Sequence, residues 1–107
     1  MEIIKNSNGL SKQDIYRMSH NTSISAKDLA GSTLDVTSFL YYHDINSKGE
    51  DVNVLVLKTG TDLISTISGT FAKAFLDIVE TFDLPVQIRV LVGKTSKGRD
   101  FVTCELA

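Results

Sequence analysis

The chain has 107 residues, of which 42% are hydrophobic and 22% charged, and its formal net charge is −2. This length and composition are typical of one globular domain, and the single cysteine excludes an internal disulfide framework. The charge excludes a protein that is basic overall, and no apolar stretch has the length of a signal-peptide core or a membrane span. We therefore expect a cytoplasmic protein without a membrane partner.

Residues 1–30 are rich in Ser and Asn and are predicted to form a loosely attached arm. One short helix is predicted within this arm, because Ser11 is a suitable N-cap and Asp14 stands at the capping-box spacing. The remaining residues, 31–107, are predicted to form the folded domain.

Three strands are predicted at the start of that domain, since the chain becomes rich in β-branched and aromatic residues. The first, residues 33–43, alternates so that Phe39 and Tyr41 point outward. Its inward face carries Leu34, Val36, Leu40 and Tyr42. Residues 52–58 form the second strand, whose near-continuous apolar character predicts burial on both faces, and residues 63–67 form the third.

A helix and a hairpin complete the predicted domain. Ser68 is a good N-cap for the helix, and Pro85 ends it. The apolar face of the helix carries Phe71, Phe75, Ile78, Val79 and Phe82. Residues 86–92 and 99–106 return to alternation and are predicted as strands that flank the turn "GKTSKG". The inward face of this hairpin carries Val86, Ile88, Val90, Val92, Val102, Cys104 and Leu106.

The predicted order is three strands, one helix and two strands, in a mainly β protein. A five-stranded, partly open Greek-key barrel with its helix between strands three and four is the OB-fold. We expect such an OB-fold-like barrel, preceded by the short arm or helix. A generic α+β roll shares the same order and stays open as an alternative.

The segment "VGKTSKGRDFVTC", residues 92–104, contains the Gly-Lys-Thr with which a phosphate-binding P-loop ends. The spacing excludes a P-loop, because Ile88 stands where the first glycine is required and a strand rather than a helix follows. No His, Cys, Asp or Glu cluster has metal-ligand spacing, and Ser65 and Ser68 have no nearby histidine as a base. Cys104 lies in an alternating apolar pattern that is typical of a buried structural thiol. We therefore expect no enzymatic activity, no metal and no cofactor.

The outward faces of the predicted sheet interleave aromatic and basic side chains. The candidates for nucleic-acid binding are Phe39, Tyr41, Arg89, Lys94, Lys97, Arg99 and Phe101. Bases of a single strand stack on aromatic rings, at about 1–3 kcal/mol each, while cations contact its backbone. The same aromatic rings could instead pack under the N-terminal arm or against a second subunit, so both interpretations stay open.

The charge is unevenly distributed along the chain. Residues 1–27 carry four Lys and Arg against two acidic residues, and residues 86–107 have the same balance. Residues 28–85 carry three basic against nine acidic residues. A surface that binds a polyanion is therefore expected to be local and to be built from the two ends of the chain.

Three segments of the chain are "GSTLDVTSFLYY", "SGTFAKAFLDIVETF" and "VQIRVLVGKTSKGRDFVTCEL". Together they resemble the small single-stranded DNA-binding proteins of tailed phages that infect Gram-positive bacteria. The closing hairpin of that family reads Lys-x-Ser-x-Gly-x-Asp/Glu-Phe, followed by Leu, Ile or Val. Its positions are matched here by Lys94, Ser96, Gly98, Asp100, Phe101 and Val102. The resemblance extends over residues 31–106.

This resemblance implies an OB-type fold that coats single-stranded DNA without sequence preference during phage replication or recombination, in the cytoplasm of the host cell. Replication or recombination proteins are its implied partners. Only the hairpin from Lys94 to Phe101 and the aromatics of the first strand are implied as contact residues. Two other classes stay open: a protein-binding module, such as a phage inhibitor of a host protein, and a homo-oligomer that pairs exposed strand edges.

Overall fold

A computed structural model describes residues 1–22 and 24–107 of the chain. The secondary structure within these residues is mainly β, as the sequence predicts. The elements are β1 (Glu2–Asn6), α1 (Lys12–His20), β2 (Ile24–Ser25), a 3₁₀ helix (Ala26–Leu29), β3 (Thr33–Val36), β4 (Ser38–Ile45), β5 (Asp51–Thr59), β6 (Asp62–Thr66), α2 (Gly69–Thr81), β7 (Val86–Lys94) and β8 (Asp100–Leu106). None of these helices combines the length and the apolar character that a membrane crossing requires.

The strands form two sheets. The larger sheet has the order β1–β4–β5–β6–β2, and the smaller sheet has the order β3–β7–β8. Neighbouring strands are antiparallel, except that β2 pairs with β6 in parallel. Residues 1–30, which the sequence predicts as a loosely attached arm, thus provide both edge strands of the larger sheet.

The predicted strand over residues 33–43 divides at Thr37 into β3 and β4, and these belong to different sheets. The Thr37 amide donates a hydrogen bond of 2.9 Å to the carbonyl oxygen of Lys58, and the Thr37 hydroxyl donates to the same oxygen at 3.2 Å. The alternation shifts by one residue at this break. Val36 faces the interior before it, and Phe39 faces the same interior after it.

The prediction that Phe39 points outward is therefore wrong. Its side chain is only 3% exposed, since the shift at Thr37 turns the odd-numbered residues of β4 toward the interior. There the ring meets Phe75 of α2 edge to face, with 5.3 Å between the ring centroids and 76° between the ring planes. Phe39 is a residue of the hydrophobic core.

The main core lies between the two sheets and α2. Its largest fully buried side chains are Val36, Leu55, Leu57, Ile64, Phe71, Phe75, Ile88 and Val90. Helix α2 begins at its predicted cap, where the Ser68 hydroxyl oxygen accepts a hydrogen bond of 3.1 Å from the Phe71 amide. The same hydroxyl donates at 2.8 Å to the carbonyl oxygen of Val102, so the start of α2 is tied to β8.

A second core lies on the opposite face of β4 and β5, where α1 covers the sheet. Met18 of α1 packs there with Leu40, Tyr42 and Val56, all of them buried. Burial raises the pKa of the Tyr42 phenol, and the negative charge of Asp44 adds to that rise. The prediction that residues 52–58 are buried on both faces is confirmed for Leu55, Val56 and Leu57, which lie between the two cores, but not for Asn53, which is exposed.

Helix α1 begins with the predicted capping box. The Ser11 hydroxyl oxygen accepts a hydrogen bond from the Asp14 amide, and the Asp14 carboxylate accepts one from the Ser11 amide, each at 3.0 Å. These bonds to Ser11 lower the pKa of the Asp14 carboxyl, because they favour its charged form. The cap thus fixes the point at which the chain turns to cover the sheet.

Candidate nucleic-acid interface

The β7–β8 hairpin forms where the sequence predicts it. Its strands pair from Ile88 with Leu106 to Lys94 with Asp100. Beyond that pair the Thr95 amide donates to the Arg99 carbonyl oxygen at 2.8 Å, and the Gly98 amide donates to the Thr95 carbonyl oxygen at 2.9 Å. Gly98 has a φ of 79°, a conformation that glycine adopts without steric cost. The tip is therefore a tight, hydrogen-bonded turn.

Three cations are exposed at this tip: Lys94, Lys97 and Arg99. The Lys94 ammonium lies 3.9 Å from the Asp100 carboxylate, and these two side chains are 74% and 73% exposed. An ion pair this exposed holds its partners weakly, because water and salt screen it. In the described part of the chain, no salt bridge joins Lys97 or Arg99 to a carboxylate. The tip is therefore a locally cationic surface on an acidic chain.

Phe101 lies next to these cations, opposite Gly93 on the neighbouring strand. A methyl group at Gly93 would lie only 2.7 Å from the Cζ atom of the Phe101 ring. The missing side chain of Gly93 thus makes room for the ring to lie across β7. Phe101 is half-buried, so part of the ring stays accessible. We call Lys94, Lys97, Arg99 and Phe101 together the basic hairpin.

Arg89 lies on the same face of the smaller sheet as Phe101, because residues two apart on a strand share a face and so do directly paired residues. It is exposed, and its cross-strand partners are Thr33 on β3 and Glu105 on β8. Arg89 therefore extends the basic hairpin along the sheet, although with a carboxylate as its neighbour.

The two predicted aromatics of the first strand are not part of this surface. Phe39 and Tyr41 lie on β4, in the larger sheet. Phe39 is buried, and Tyr41 is half-buried and packs against the main core. Of the seven predicted contact residues, the structure thus groups the four of the basic hairpin, with Arg89 on the same sheet.

A cleft of 710 Å³ lies beside the basic hairpin, and sequence reasoning missed it. We call it the seam cleft, and we define it by Lys27, Ile67, Val92, Asp100, Phe101 and Val102. Alternation predicts Val92 as an inward residue, yet its side chain is 49% exposed. The cleft forms between the two sheets, and its existence depends on a strand pairing that no local pattern indicates.

Cys104 is the buried structural thiol that the sequence predicts, since it is only 6% exposed. Burial raises the pKa of the thiol from its ordinary value of 9.0 to about 12. At pH 8 only about one thiol in ten thousand is then ionised, and the thiolate is the reactive form. We expect iodoacetamide at pH 8 to leave the folded chain unlabelled and to label the chain in denaturing urea, as measured by mass spectrometry. Equal labelling of both samples would contradict the burial of this thiol.

Within the described ranges, no group of three or more His, Cys, Asp or Glu side chains is arranged to hold a metal ion. No family model, curated protein or solved structure matches the chain. What the site offers is positive charge, one accessible aromatic ring and an adjoining apolar cleft.

Proposed function

We propose that the chain binds single-stranded DNA through the basic hairpin, with little sequence preference and without enzymatic activity. The observation that carries this proposal is the exposure of three cations beside an accessible ring. Cations of this kind bind phosphates, and an aromatic ring stacks on any base, so the combination suits a single strand of arbitrary sequence. The resemblance to phage single-stranded DNA-binding proteins supports a role in phage replication or recombination.

We also propose that the two sheets are an open form of the OB-fold barrel. If β3 and β4 are counted as one bent strand, hydrogen-bonded neighbours follow in the order β6, β5, β3/β4, β7 and β8. Helix α2 stands between the third and fourth of the five strands in the chain, as in that fold. One edge of β6 pairs with β5. The other edge, which would pair with β8 in a closed barrel, pairs with β2 instead.

The position of α1 favours the basic hairpin over the usual sheet surface as the contact site. OB-folds bind oligonucleotides on the face of strands two and three, which correspond to β5 and β6 in this assignment. Here Met18 of α1 packs on Val56 of β5, and Leu63 of β6 joins the same cluster. That face is therefore covered, whereas the basic hairpin is exposed.

Fluorescence anisotropy with labelled oligo(dT) tests this proposal. Binding should be detectable at low salt and should weaken as salt rises, since bound cations displace condensed counterions. Three phosphate contacts predict a slope of about −2 in a plot of log affinity against log salt concentration. No binding at low salt would overturn the proposal, and binding that is independent of salt would contradict the role of the cations.

A protein-binding module is the second candidate, and one observation favours it. Beside Asp83, the ring of Phe82 is 46% exposed at the end of α2. Both residues line a cleft of 610 Å³ between β1 and α2. An exposed aromatic ring beside a cleft suits a protein partner, because aromatic residues are enriched in protein interfaces. Failure of the oligo(dT) experiment would leave this candidate as the better explanation.

A further inference from the structure

The seam cleft is the opening between the two sheets on the side of the basic hairpin. One wall consists of Val92, Phe101 and Val102 from the smaller sheet. The other wall consists of Ile67, directly after β6, and Lys27 from the 3₁₀ helix. Since β6 pairs with β2 rather than with β8, the sheets are not joined by a backbone ladder here.

The floor of the seam cleft exposes aliphatic side chains. The side chain of Ile67 is 70% exposed and that of Val92 is 49% exposed, and Val102 lies beside them. At one end of the cleft, the hydrogen bond from the Ser68 hydroxyl to the Val102 carbonyl oxygen ties the start of α2 to β8. The volume of 710 Å³ is within the range of sites that hold small organic molecules.

One cation, Lys27, lines the cleft itself. Lys94 and Arg99 of the basic hairpin adjoin this lining, because Asp100, which lines the cleft, pairs with Lys94 and follows Arg99 in the chain. Two carboxylates, those of Asp28 and Asp100, also line the cleft. The lining itself therefore has one positive and two negative side chains, and the positive charge that attracts an anionic ligand comes from the adjoining basic hairpin.

We infer that the seam cleft receives the bases of the bound single strand, with Ile67 and Val92 against the base faces and Lys27 against the backbone. This inference rests on the proposed function and adds a base-binding surface that the basic hairpin alone does not supply. The ligand that fits is a polyanion with flat, unstacked apolar faces. In a duplex those faces are stacked inside the helix, so a duplex of the same length is expected to bind more weakly.

Two charge-matched variants test the inference. Ile67→Glu places a carboxylate on the floor, and Ile45→Glu places one at a side chain that is 63% exposed at the end of β4, outside the cleft. We expect Ile67→Glu to weaken oligo(dT) binding by about tenfold or more, since at least one base contact is lost, and Ile45→Glu to change it less than about twofold. Lys27→Ala should likewise weaken binding more than Lys12→Ala.

Photo-cross-linking gives an independent readout on the unaltered chain. An oligo(dT) that contains 4-thiothymidine should cross-link to the tryptic peptide of residues 59–73, which contains Ile67. One pair of results would overturn the inference while the chain still binds oligo(dT): Ile67→Glu binds as well as Ile45→Glu does, and this peptide carries no cross-link. The proposed function would then stand. If the unaltered chain does not bind oligo(dT) at all, both are overturned. Thermal unfolding of each variant verifies that the fold is retained.

Discussion

Replacing Lys94 and Lys97 together with alanine is expected to weaken oligo(dT) binding by about tenfold or more at low salt, without loss of stability. Both side chains are exposed, and the ion pair of Lys94 with Asp100 is too exposed to contribute much to folding. Each phosphate contact to a single strand contributes about 0.7 to the magnitude of the slope of log affinity against log salt concentration. The loss of two contacts should therefore make this slope shallower by about 1.4. Anisotropy titrations at several salt concentrations measure both quantities.

A matched control removes the same charge elsewhere. Lys12 at the start of α1 and Lys73 on α2 are exposed, and Lys73 takes part only in an exposed pair with Asp77 on its own helix. Lys12→Ala with Lys73→Ala should leave most of the affinity and the slope intact. Equal losses in the two double variants would show that overall charge matters rather than the basic hairpin. A large fall in the thermal midpoint of the Lys94 and Lys97 variant would assign these lysines to folding instead.

Replacing Phe39 with alanine is expected to lower the free energy of unfolding by about 3–5 kcal/mol, which is the range for a large buried ring. The ring is 3% exposed and contacts Phe75 edge to face, so its removal leaves a cavity between β4 and α2. Urea denaturation monitored by circular dichroism measures this loss. Phe82→Ala is the matched control, because that ring is 46% exposed, and it should cost only about 0.5 kcal/mol or less.

A second variant separates the structural role of Phe39 from a role in binding. Phe39→Leu keeps an apolar side chain in the core and is expected to fold. Its affinity for oligo(dT) should equal that of the unaltered chain, since a buried ring cannot stack on a base. Two results would mean that the Phe39 ring is accessible after all. One is a Phe39→Ala variant that is as stable as Phe82→Ala. The other is a Phe39→Leu variant that folds but no longer binds oligo(dT).

The sequence predicts most elements after residue 31 because their signals are local. The helical period of α2, its Ser68 cap and the alternation of β7 and β8 each depend on residues that are close in the chain. The shift at Thr37 has no such signal: it depends on which sheet each half of the strand joins. Alternation alone therefore predicts the wrong face for Phe39, although it correctly predicts β structure on both sides of Thr37.

The sequence does not predict the edge strands β1 and β2, for a related reason. All five side chains of β1 are exposed, so its sequence has no alternation between buried and exposed positions. Strand β2 has two residues, and only its pairing with β6 identifies it as a strand. The basic hairpin could be predicted because its cations and Gly98 lie within one turn. The seam cleft could not, because its walls come from segments that are distant in the chain.

The bent segment through Thr37 also has a consequence for how the molecule unfolds. One continuous stretch of backbone supplies a strand to each sheet, and the Thr37 amide and hydroxyl both donate to the carbonyl oxygen of Lys58. Full opening of either sheet would displace the strand that the same segment supplies to the other sheet. We therefore expect the two sheets to unfold as one cooperative unit, with the amide hydrogen of Thr37 exchanging with solvent as slowly as those of the core strands.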